Sequence, residues 1–316
     1  MSQVVIGVDL GGTNIKSALV NESGEVLHRL VRPTLAVEGP TRVLDQIAGC
    51  VQALHDHAQS DEVVAVGVGA PGPMNWQTGV VYSPPNLPGW KNVPLANEIA
   101  DRTGLTAYVE NDANAACWGE FWTGAGRDAK SLCCLTLGTG VGGGIVLDGA
   151  LLRGPDGTAG ELGHLCVQRN GRACGCGARG CLEAYASVTG LVRTAKEGLD
   201  NGEESSLRSS TEDLTGAAVS EAASNGDTFA KSVISETGEW VGVGVASLIN
   251  LLNPDMIVIC GGMIEAGDLL FDAIRHTAQR QAFEVPATRA QIVPAALGQD
   301  AGVIGAAGCA WQRVKT

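Results

Sequence analysis

The hydrophobic positions in the first 70 residues change period along the chain and predict strands, then a helix. QVVIGVD (3–9) is an apolar run typical of a buried strand, and NIKSALV (14–20) and EVLHRLV (25–31) follow after short turns. Residues 40–59 carry apolar side chains at helical spacing, and VVAVGVG (63–69) again has the pattern of a buried strand. The chain is therefore predicted to open with a three-stranded meander, a helix and a fourth strand.

The same order of elements returns about 130 residues further along the chain. LCCLTLG (132–138) has the pattern of a buried strand, TGVGGG is predicted to be a turn, and IVLDGALL (145–152) predicts two short strands joined by an Asp-Gly hairpin turn. This repetition predicts a duplicated α/β unit. We expect two similar domains that flank a cleft.

The last third of the chain adds one strand and three helices to this pattern. They are predicted at MIVICGG (256–262), 228–252, 265–283 and DAGVIGAAGCAWQRV (300–314). We expect a small N-terminal α/β domain over 1–113, joined by the C-terminal helix at about 300–316, and a larger α/β domain over 114–299.

Composition narrows the function classes. The 316 residues carry a formal net charge of −13, and an acidic chain repels phosphate backbones, so nucleic acid is not an expected partner. No run approaches about 18 apolar residues, so we expect no membrane span. The N-terminal stretch lacks a signal-peptide pattern, and ten cysteines without such a signal indicate thiols in a reducing, cytoplasmic compartment.

Two glycine-rich turns are candidates for phosphate binding. Glycines between two strands allow several backbone N–H groups to point at one phosphate oxygen. DLGGTNIK adds a hydroxyl and a lysine charge, and Asp9 at the strand end is a candidate for holding Mg²⁺ through water. The alternative is an ordinary hairpin turn with an acid at its edge. The candidates are Asp9, Gly11, Gly12, Thr13 and Lys16 in the first turn and Gly138, Thr139, Gly140 and Gly142 in the second.

The second turn also matches the dinucleotide-binding pattern G-x-G-x-x-G through Gly138, Gly140 and Gly143. That pattern requires a helix directly after the turn, whereas a predicted strand follows here. A Rossmann NAD site is therefore disfavoured. The P-loop sequence is absent from the chain.

VENDANAA (109–116) places three polar residues where a predicted strand meets a helix. A carboxylate in this position can act as a general base toward a hydroxyl group, and Asp112 is the candidate. The alternative is that Asp112 or Asn111 only caps the helix.

The stretch CGCGARGC places Cys174, Cys176 and Cys181 close together, and thiolates suit Zn²⁺. A closed tetrahedral site needs a fourth ligand, for which His164 is the candidate and the adjacent Cys166 a weaker competitor. A redox dithiol is the alternative. The other six cysteines are predicted to be buried: Cys50, Cys117, Cys133, Cys134, Cys260 and Cys309.

A zinc-tied loop would fix several polar side chains at once. Glu161, His164 and Glu183 are spaced around this loop, and Asn86 lies on the proline-rich stretch PPNLPGW (84–90). Carboxylates, amides and imidazole nitrogens can bind the vicinal hydroxyls of a polyol. These four residues are therefore candidates for sugar recognition.

Together these motifs resemble the ROK family of sugar kinases and repressors, within the actin-like ATPase superfamily. DLGGTNIK and LGTGVGGGIV look like its two phosphate motifs, ICGGM (259–263) like its adenosine motif and END (110–112) like its catalytic segment. ELGHLCVQRNGRACGCGARGCLEAYAS (161–187) resembles its zinc-binding signature. The resemblance covers essentially the whole chain and implies an α/β fold of duplicated actin-like (ribonuclease H-like) ATPase domains.

The resemblance implies an ATP-dependent hexose kinase, most similar to the zinc-containing bacterial glucokinases, that converts glucose to glucose 6-phosphate. Asp112 resembles the general base for the carbon-6 hydroxyl, Mg²⁺ is implied with ATP, and Zn²⁺ is implied as a structural ion. The implied sets are Asn86, Asn111, Asp112, Glu161, His164 and Glu183 for the sugar, His164, Cys174, Cys176 and Cys181 for zinc, and the two phosphate turns with Gly261 and Gly262 for the nucleotide.

Two alternatives stay open. Kinases of the same family that act on N-acetylglucosamine, N-acetylmannosamine or fructose share nearly all these motifs. A non-catalytic sugar sensor is the second, although the intact Asp112 favours an enzyme. The family's repressors carry a helix-turn-helix before the first phosphate motif, which here begins at Asp9, and its polyphosphate-using relatives look as if they lack the cysteine-rich loop. A homodimer or homotetramer is implied by the resemblance alone.

Overall fold

A computed structural model of the protein describes residues 2–210 and 214–315. The contacts between residues divide the chain into two compact units. Unit 1 comprises Met1–Asp128, Gly144–Gly160 and Ala296–Thr316, and unit 2 comprises Ala129–Gly143 and Glu161–Ala295. The domain boundary predicted between residues 113 and 114 stays a prediction.

The sequence predicts most of the described strands, and the four that it misses are only 2–4 residues long. The strands are β1 (Gln3–Leu10), β2 (Asn14–Asn21), β3 (Val26–Pro33), β4 (Glu62–Ala70), β5 (Met74–Asn75), β6 (Val80–Val81), β7 (Val93–Pro94), β8 (Ala107–Asn111), β9 (Leu132–Leu137), β10 (Val141–Leu147), β11 (Ala150–Leu151), β12 (Met256–Cys260) and β13 (Gln291–Pro294).

The α-helices include all five that the sequence predicts and others that it does not. They are α1 (Pro40–His57), α2 (Leu95–Thr103), α3 (Asp112–Trp122), α4 (Glu183–Ala186), α5 (Val188–Asp200), α6 (Gly216–Ser224), α7 (Thr228–Leu252), α8 (Asp268–Gln281), α9 (Glu284–Arg289) and α10 (Ala301–Val314). Within the described ranges, none of them has the length and hydropathy that a membrane span requires.

The first five-stranded sheet has the order β3-β2-β1-β4-β8. Its three meander strands pair antiparallel, and β4 is parallel to both β1 and β8. Strand β1 is buried on both faces because alternate residues pack on different helices: Ile6 joins the cluster that contains α1, and Val5 joins the cluster that contains α10.

Two glycines allow α10 to approach this sheet closely. A Cβ built on Gly7 would lie 2.2 Å from the carbonyl oxygen of Val303, and one on Gly67 would lie 2.0 Å from that of Ala306. Larger side chains at either position would therefore push the C-terminal helix away from β1 and β4.

A second five-stranded sheet has the order β11-β10-β9-β12-β13. Numbered within each repeat, both sheets have the order 3-2-1-4-5, and in both the fourth strand is parallel to the first and the fifth. The predicted duplication of the α/β unit is confirmed. A small third sheet, β5-β6-β7, was not predicted.

One local prediction was wrong. The stretch TGVGGG was expected to be a turn, but β10 already begins at Val141, so Gly142, Gly143 and Gly144 lie within the strand. A Cβ on Gly143 would lie 2.6 Å from Cγ of Leu162, so close packing explains this glycine. The turn after β10 is as predicted, since Asp148 and Gly149 both have positive φ, at 47° and 80°.

Candidate active site

The first glycine turn joins β1 and β2 and is fastened by a threonine that sequence reasoning missed. The hydroxyl of Thr34 donates to the carbonyl oxygen of Gly11 at 2.6 Å, and its backbone N–H donates to that of Thr13 at 2.8 Å. Thr34 is completely buried. The turn therefore has a fixed backbone, as a phosphate-binding loop requires.

Asp9 and Lys16 lie directly opposite each other on β1 and β2, at the base of this turn. Burial raises the pKa of Asp9, and the nearby charge of Lys16 opposes that rise. A Cβ on Gly302 of α10 would lie 2.9 Å from Cγ of Asp9, so this glycine leaves room for the carboxylate. Since burial penalises the anion, a divalent cation at this carboxylate would be stabilising, and the site fits the expected Mg²⁺.

Asn111 and Asp112 form the junction between β8 and α3. Asn111 caps the helix, because its side-chain oxygen accepts hydrogen bonds from the backbone N–H groups of Ala113 and Asn114 at 3.0 and 3.1 Å. Its Nδ2 group donates to Oδ1 of Asp112 at 3.1 Å. The capping role therefore belongs to Asn111, and Asp112 is the first residue of the helix, where the helix dipole favours a carboxylate anion.

Asn86 and Gly12 approach each other within unit 1. A Cβ on Gly12 would lie 3.4 Å from the backbone oxygen of Asn86 and 3.5 Å from its Cβ. Asn86 is exposed on the loop between β6 and β7. The structure thus places this predicted sugar-binding residue beside the first phosphate turn.

The second glycine turn accepts hydrogen bonds from the first residues of α5. The backbone N–H of Val188 donates to the carbonyl oxygen of Gly138 at 2.8 Å, and the hydroxyl of Thr189 donates to that of Thr139 at 3.0 Å. Ser187 caps this helix by accepting from the N–H of Gly190. Sequence reasoning missed all three contacts, since no motif marks the segment after the cysteine-rich loop.

A cavity of about 710 Å³ in unit 2 brings the second turn and the predicted adenosine motif together. Gly138 and Gly262 both line it, as do residues of α6, a helix that was not predicted. Gly261 has φ at 94°, and a Cβ there would lie 2.2 Å from the carbonyl oxygen of Leu137. The volume lies within the range typical of small-molecule sites, about 300–1,000 Å³.

The four predicted zinc ligands converge in unit 2. The candidate ligand atoms of His164, Cys174, Cys176 and Cys181 all lie within 4.8 Å of one another. Cys166 is not among them, and its thiol contacts the backbone oxygen of Arg179 instead.

The spacing of these ligand atoms fits zinc. The sulfurs of Cys176 and Cys181 lie 3.7 Å apart, and Nδ1 of His164 lies 3.8 Å from the sulfur of Cys174. Two thiolates bound tetrahedrally at about 2.3 Å from one ion would lie about 3.8 Å apart. Burial raises the pKa of Cys174, and burial and the adjacent thiols raise that of Cys181 to about 12. A bound cation would offset this cost of forming thiolates.

Glu183 connects this cluster to the second phosphate turn. Its Oε1 accepts a hydrogen bond from the thiol of Cys174 at 3.5 Å, and its Oε2 accepts one from the backbone N–H of Val141 at 3.0 Å. Glu161 directly precedes the short 3-10 helix Leu162–His164, His164 is the last residue of that helix, and both side chains are exposed. The predicted sugar ligands of unit 2 are thus held close to the metal cluster.

Comparison with known proteins identifies the family. The model of the ROK family matches residues 5–313. The chain belongs to the ROK family. A glucokinase of Thermotoga maritima is 40% identical over 98% of both chains, and one of Halalkalibacterium halodurans is 42% identical over 95% of this chain and 92% of its own. Among solved structures, the crystal structure of a ROK family glucokinase from Streptomyces griseus in complex with glucose and AMPPNP is similar to this chain, with a TM-score of 0.83. The two sequences are 38% identical, and the match covers 98% of this chain and 99% of that one.

The ROK family has the actin-like ATPase fold with two domains, and the resemblance inferred from the motifs is confirmed.

One residue of this ROK chain that the motifs did not single out is Arg172, which anchors the cysteine-rich loop. Its backbone N–H donates to the hydroxyl of Tyr185 at 2.7 Å, and its guanidinium donates to Glu197 at 2.6 Å. The ring of Tyr185 packs in turn on Trp240, with centroids 4.3 Å apart.

Proposed function

We propose that this ROK protein transfers the γ-phosphoryl group of ATP to the carbon-6 hydroxyl of glucose. The chain is an ATP-dependent hexose kinase, since glucokinases match it over nearly its whole length. The name of these relatives supports glucose as the acceptor, and the AMPPNP in the related structure supports ATP as the donor. The observation that carries the proposal is the position of Asp112, held at the start of α3 by Asn111.

The nucleotide is proposed to bind through the two glycine turns and the cavity of unit 2. The adenosine would occupy the cavity beside Gly262, and its phosphates would meet the backbone N–H groups of the turns. Mg²⁺, held near Asp9 through water, would neutralise charge on the phosphates. Phosphoryl transfer needs mainly positioning and charge stabilisation, which fixed backbone turns provide.

Asp112 is proposed to act as the general base. Its carboxylate would take the proton of the carbon-6 hydroxyl as that oxygen attacks the γ-phosphorus. Oδ1 of Asp112 accepts hydrogen bonds from Nδ2 of Asn111 at 3.1 Å and from the backbone N–H of Ala113 at 2.8 Å, and these two bonds support a fixed orientation of the carboxylate. Hydroxyl contacts are assigned to Asn86, Asn111, Asp112, Glu161, His164 and Glu183.

Zn²⁺ is proposed to have a structural role. Four protein ligands leave no open position on a tetrahedral ion, so the ion itself would not take part in the reaction. It would order the loop that presents Glu161 and His164, and Glu183 follows the proposed ligand Cys181 by two residues. A homodimer or homotetramer and a cytoplasmic location stay predictions from the family resemblance.

The acceptor sugar is tested by measuring ATP consumption with Mg²⁺ against glucose, N-acetylglucosamine, N-acetylmannosamine, mannose and fructose. We expect kcat/KM for glucose to exceed the others at least a hundredfold, which corresponds to about 2.7 kcal/mol. A preference for an N-acetylated sugar or fructose would replace glucose as the acceptor and leave the kinase assignment intact. Absence of turnover with every sugar would favour a sensor.

A further inference from the structure

Glu110 precedes the proposed base by two residues and is a buried carboxylate paired with one arginine. Nε of Arg153 donates to Oε2 of Glu110 at 2.6 Å, and the two side chains are only 17% and 5% exposed. A buried carboxylate is costly without such a partner, so Arg153 compensates the charge of Glu110.

The other carboxylate oxygen of Glu110 is turned toward the catalytic segment. Oε1 accepts a hydrogen bond from the backbone N–H of Asn111 at 3.1 Å and one from Nδ2 of Asn114 at 3.2 Å. Asn111 in turn caps α3 and donates to Oδ1 of Asp112 at 3.1 Å. Hydrogen bonds therefore link Arg153 to Glu110, Glu110 to the backbone of Asn111, and the side chain of Asn111 to the proposed base.

Arg153 is itself held in place by aromatic packing. Its guanidinium lies 4.6 Å from the centroid of the Trp76 ring, and that of Arg313 lies 4.5 Å from the same centroid. Gly157, with φ at 75°, also packs against Trp76, since a Cβ there would lie 2.8 Å from Cδ1 of the indole. These contacts restrict the rotamers of Arg153 and thereby fix the orientation of Glu110.

We propose that Arg153 is a positioning residue that orients Asp112 for proton abstraction through Glu110 and Asn111. The proposal rests on the function proposed above. Arg153 also cancels a second carboxylate within two residues of the base, so the charge of Asp112 has no uncompensated neighbour in Glu110. Loss of Arg153 alone would leave a buried carboxylate unpaired and destabilise the fold, so the test has to separate stability from catalysis.

The test compares wild type with R153M, R153K, E110Q and the double variant E110Q/R153M. We expect R153M to lower kcat at least tenfold while KM for glucose changes less than threefold. R153K, which keeps the charge but not the guanidinium geometry, should recover part of this loss. R153M should cost less in the E110Q background, since the carboxylate that it leaves unpaired is then absent.

Arg102 provides the matched control. It is a more exposed arginine of unit 1, with a side chain 26% exposed, that pairs with Glu98 and Asp45, and R102M should keep kcat within twofold of wild type. The melting temperature of every variant separates folding from positioning. A kcat for R153M within twofold of R102M, or equal losses in the wild-type and E110Q backgrounds, would overturn the proposal. Wild type without hexose kinase activity would refute the proposed function, and the positioning role would fall with it.

Discussion

The carboxylate of Glu183 accepts a hydrogen bond from the backbone N–H of Val141 at 3.0 Å and another from the thiol of Cys174. One side chain thus joins the cysteine-rich loop to the first residue of β10, directly after the second phosphate turn. A zinc-bound Cys174 would have no proton to donate, but Glu183 also follows the proposed ligand Cys181 by two residues. A change in the cysteine cluster is therefore expected to reach the proposed sugar ligand Glu183 and, through Val141, the second glycine turn.

Replacing Glu183 by alanine should weaken sugar binding. E183A removes a proposed hydroxyl ligand and leaves the backbone N–H of Val141 without its carboxylate acceptor. We therefore expect KM for glucose to rise about tenfold to a hundredfold, which corresponds to a loss of about 1.4–2.7 kcal/mol in binding free energy. E183Q keeps an acceptor for the Val141 N–H, so KM for glucose should rise less in E183Q than in E183A. Steady-state kinetics with glucose and ATP varied separately measures both, and a KM for glucose unchanged in E183A would remove Glu183 from the sugar site.

Zinc content follows from the ligand cluster. We expect elemental analysis to find about one zinc ion per chain in wild type, as four ligands complete one tetrahedral site. C176S should lose the metal, lower the melting temperature and raise KM for glucose. C166S is the control, because Cys166 lies outside the cluster, and it should retain zinc. Metal-free wild type with full activity would contradict the structural role.

The N-terminus of α7 predicts a pH-dependent contribution to stability. Asp227 caps this helix by accepting from the N–H of Ala230 at 2.9 Å, and it also accepts from the N–H and hydroxyl of Ser206 at 2.7 Å each. Partial burial would raise the pKa of Asp227, but these hydrogen bonds outweigh it and hold the pKa well below its ordinary value of 3.8. We expect D227A to lower the free energy of unfolding by about 1 kcal/mol at neutral pH.

The sign of this effect follows from proton linkage. Because the pKa of Asp227 is lower in the folded chain, its stabilisation is complete well above pH 3.8 and is lost as the pH falls below that value toward the folded-state pKa. The difference between wild type and D227A in urea unfolding should therefore shrink below about pH 4. D268A, in a first turn where the side chain makes no cap, should show no such trend. A pH-independent difference for D227A would contradict the capping role of its charge.

The sequence predicts the long elements well because local signals dominate there. Helix α7 is bounded as predicted at 228–252, since apolar residues recur over 25 positions and Asp227 precedes them as a cap. The helices α4, α5 and α6 were missed because they are short or follow loops whose start signals are single residues, such as Ser187 and Thr215. The start of strand β10 was missed because its glycines, of which Gly143 packs closely on Leu162, have the composition of a turn.

The candidate site likewise contains features that the sequence predicts and features that it does not. The thiol cluster is encoded by cysteines within eight residues, so their spacing alone suggests a common ligand. The contacts that hold the candidate site in place join residues distant in sequence. The hydroxyl of Thr34 donates a hydrogen bond to Gly11, and Arg153 pairs with Glu110 across 43 positions. No local pattern predicts such contacts, because they arise only when the sheet brings the segments together.

The central claim, phosphoryl transfer with Asp112 as the base, is tested most directly by glucose 6-phosphate formation and glucose binding in wild type and D112N. We predict that D112N lowers kcat by about 10²–10⁴, the usual contribution of a general base, while glucose binding by calorimetry weakens less than about tenfold. D128N, at a side chain 92% exposed, should match wild type. A D112N variant that forms glucose 6-phosphate at the wild-type rate would contradict the account.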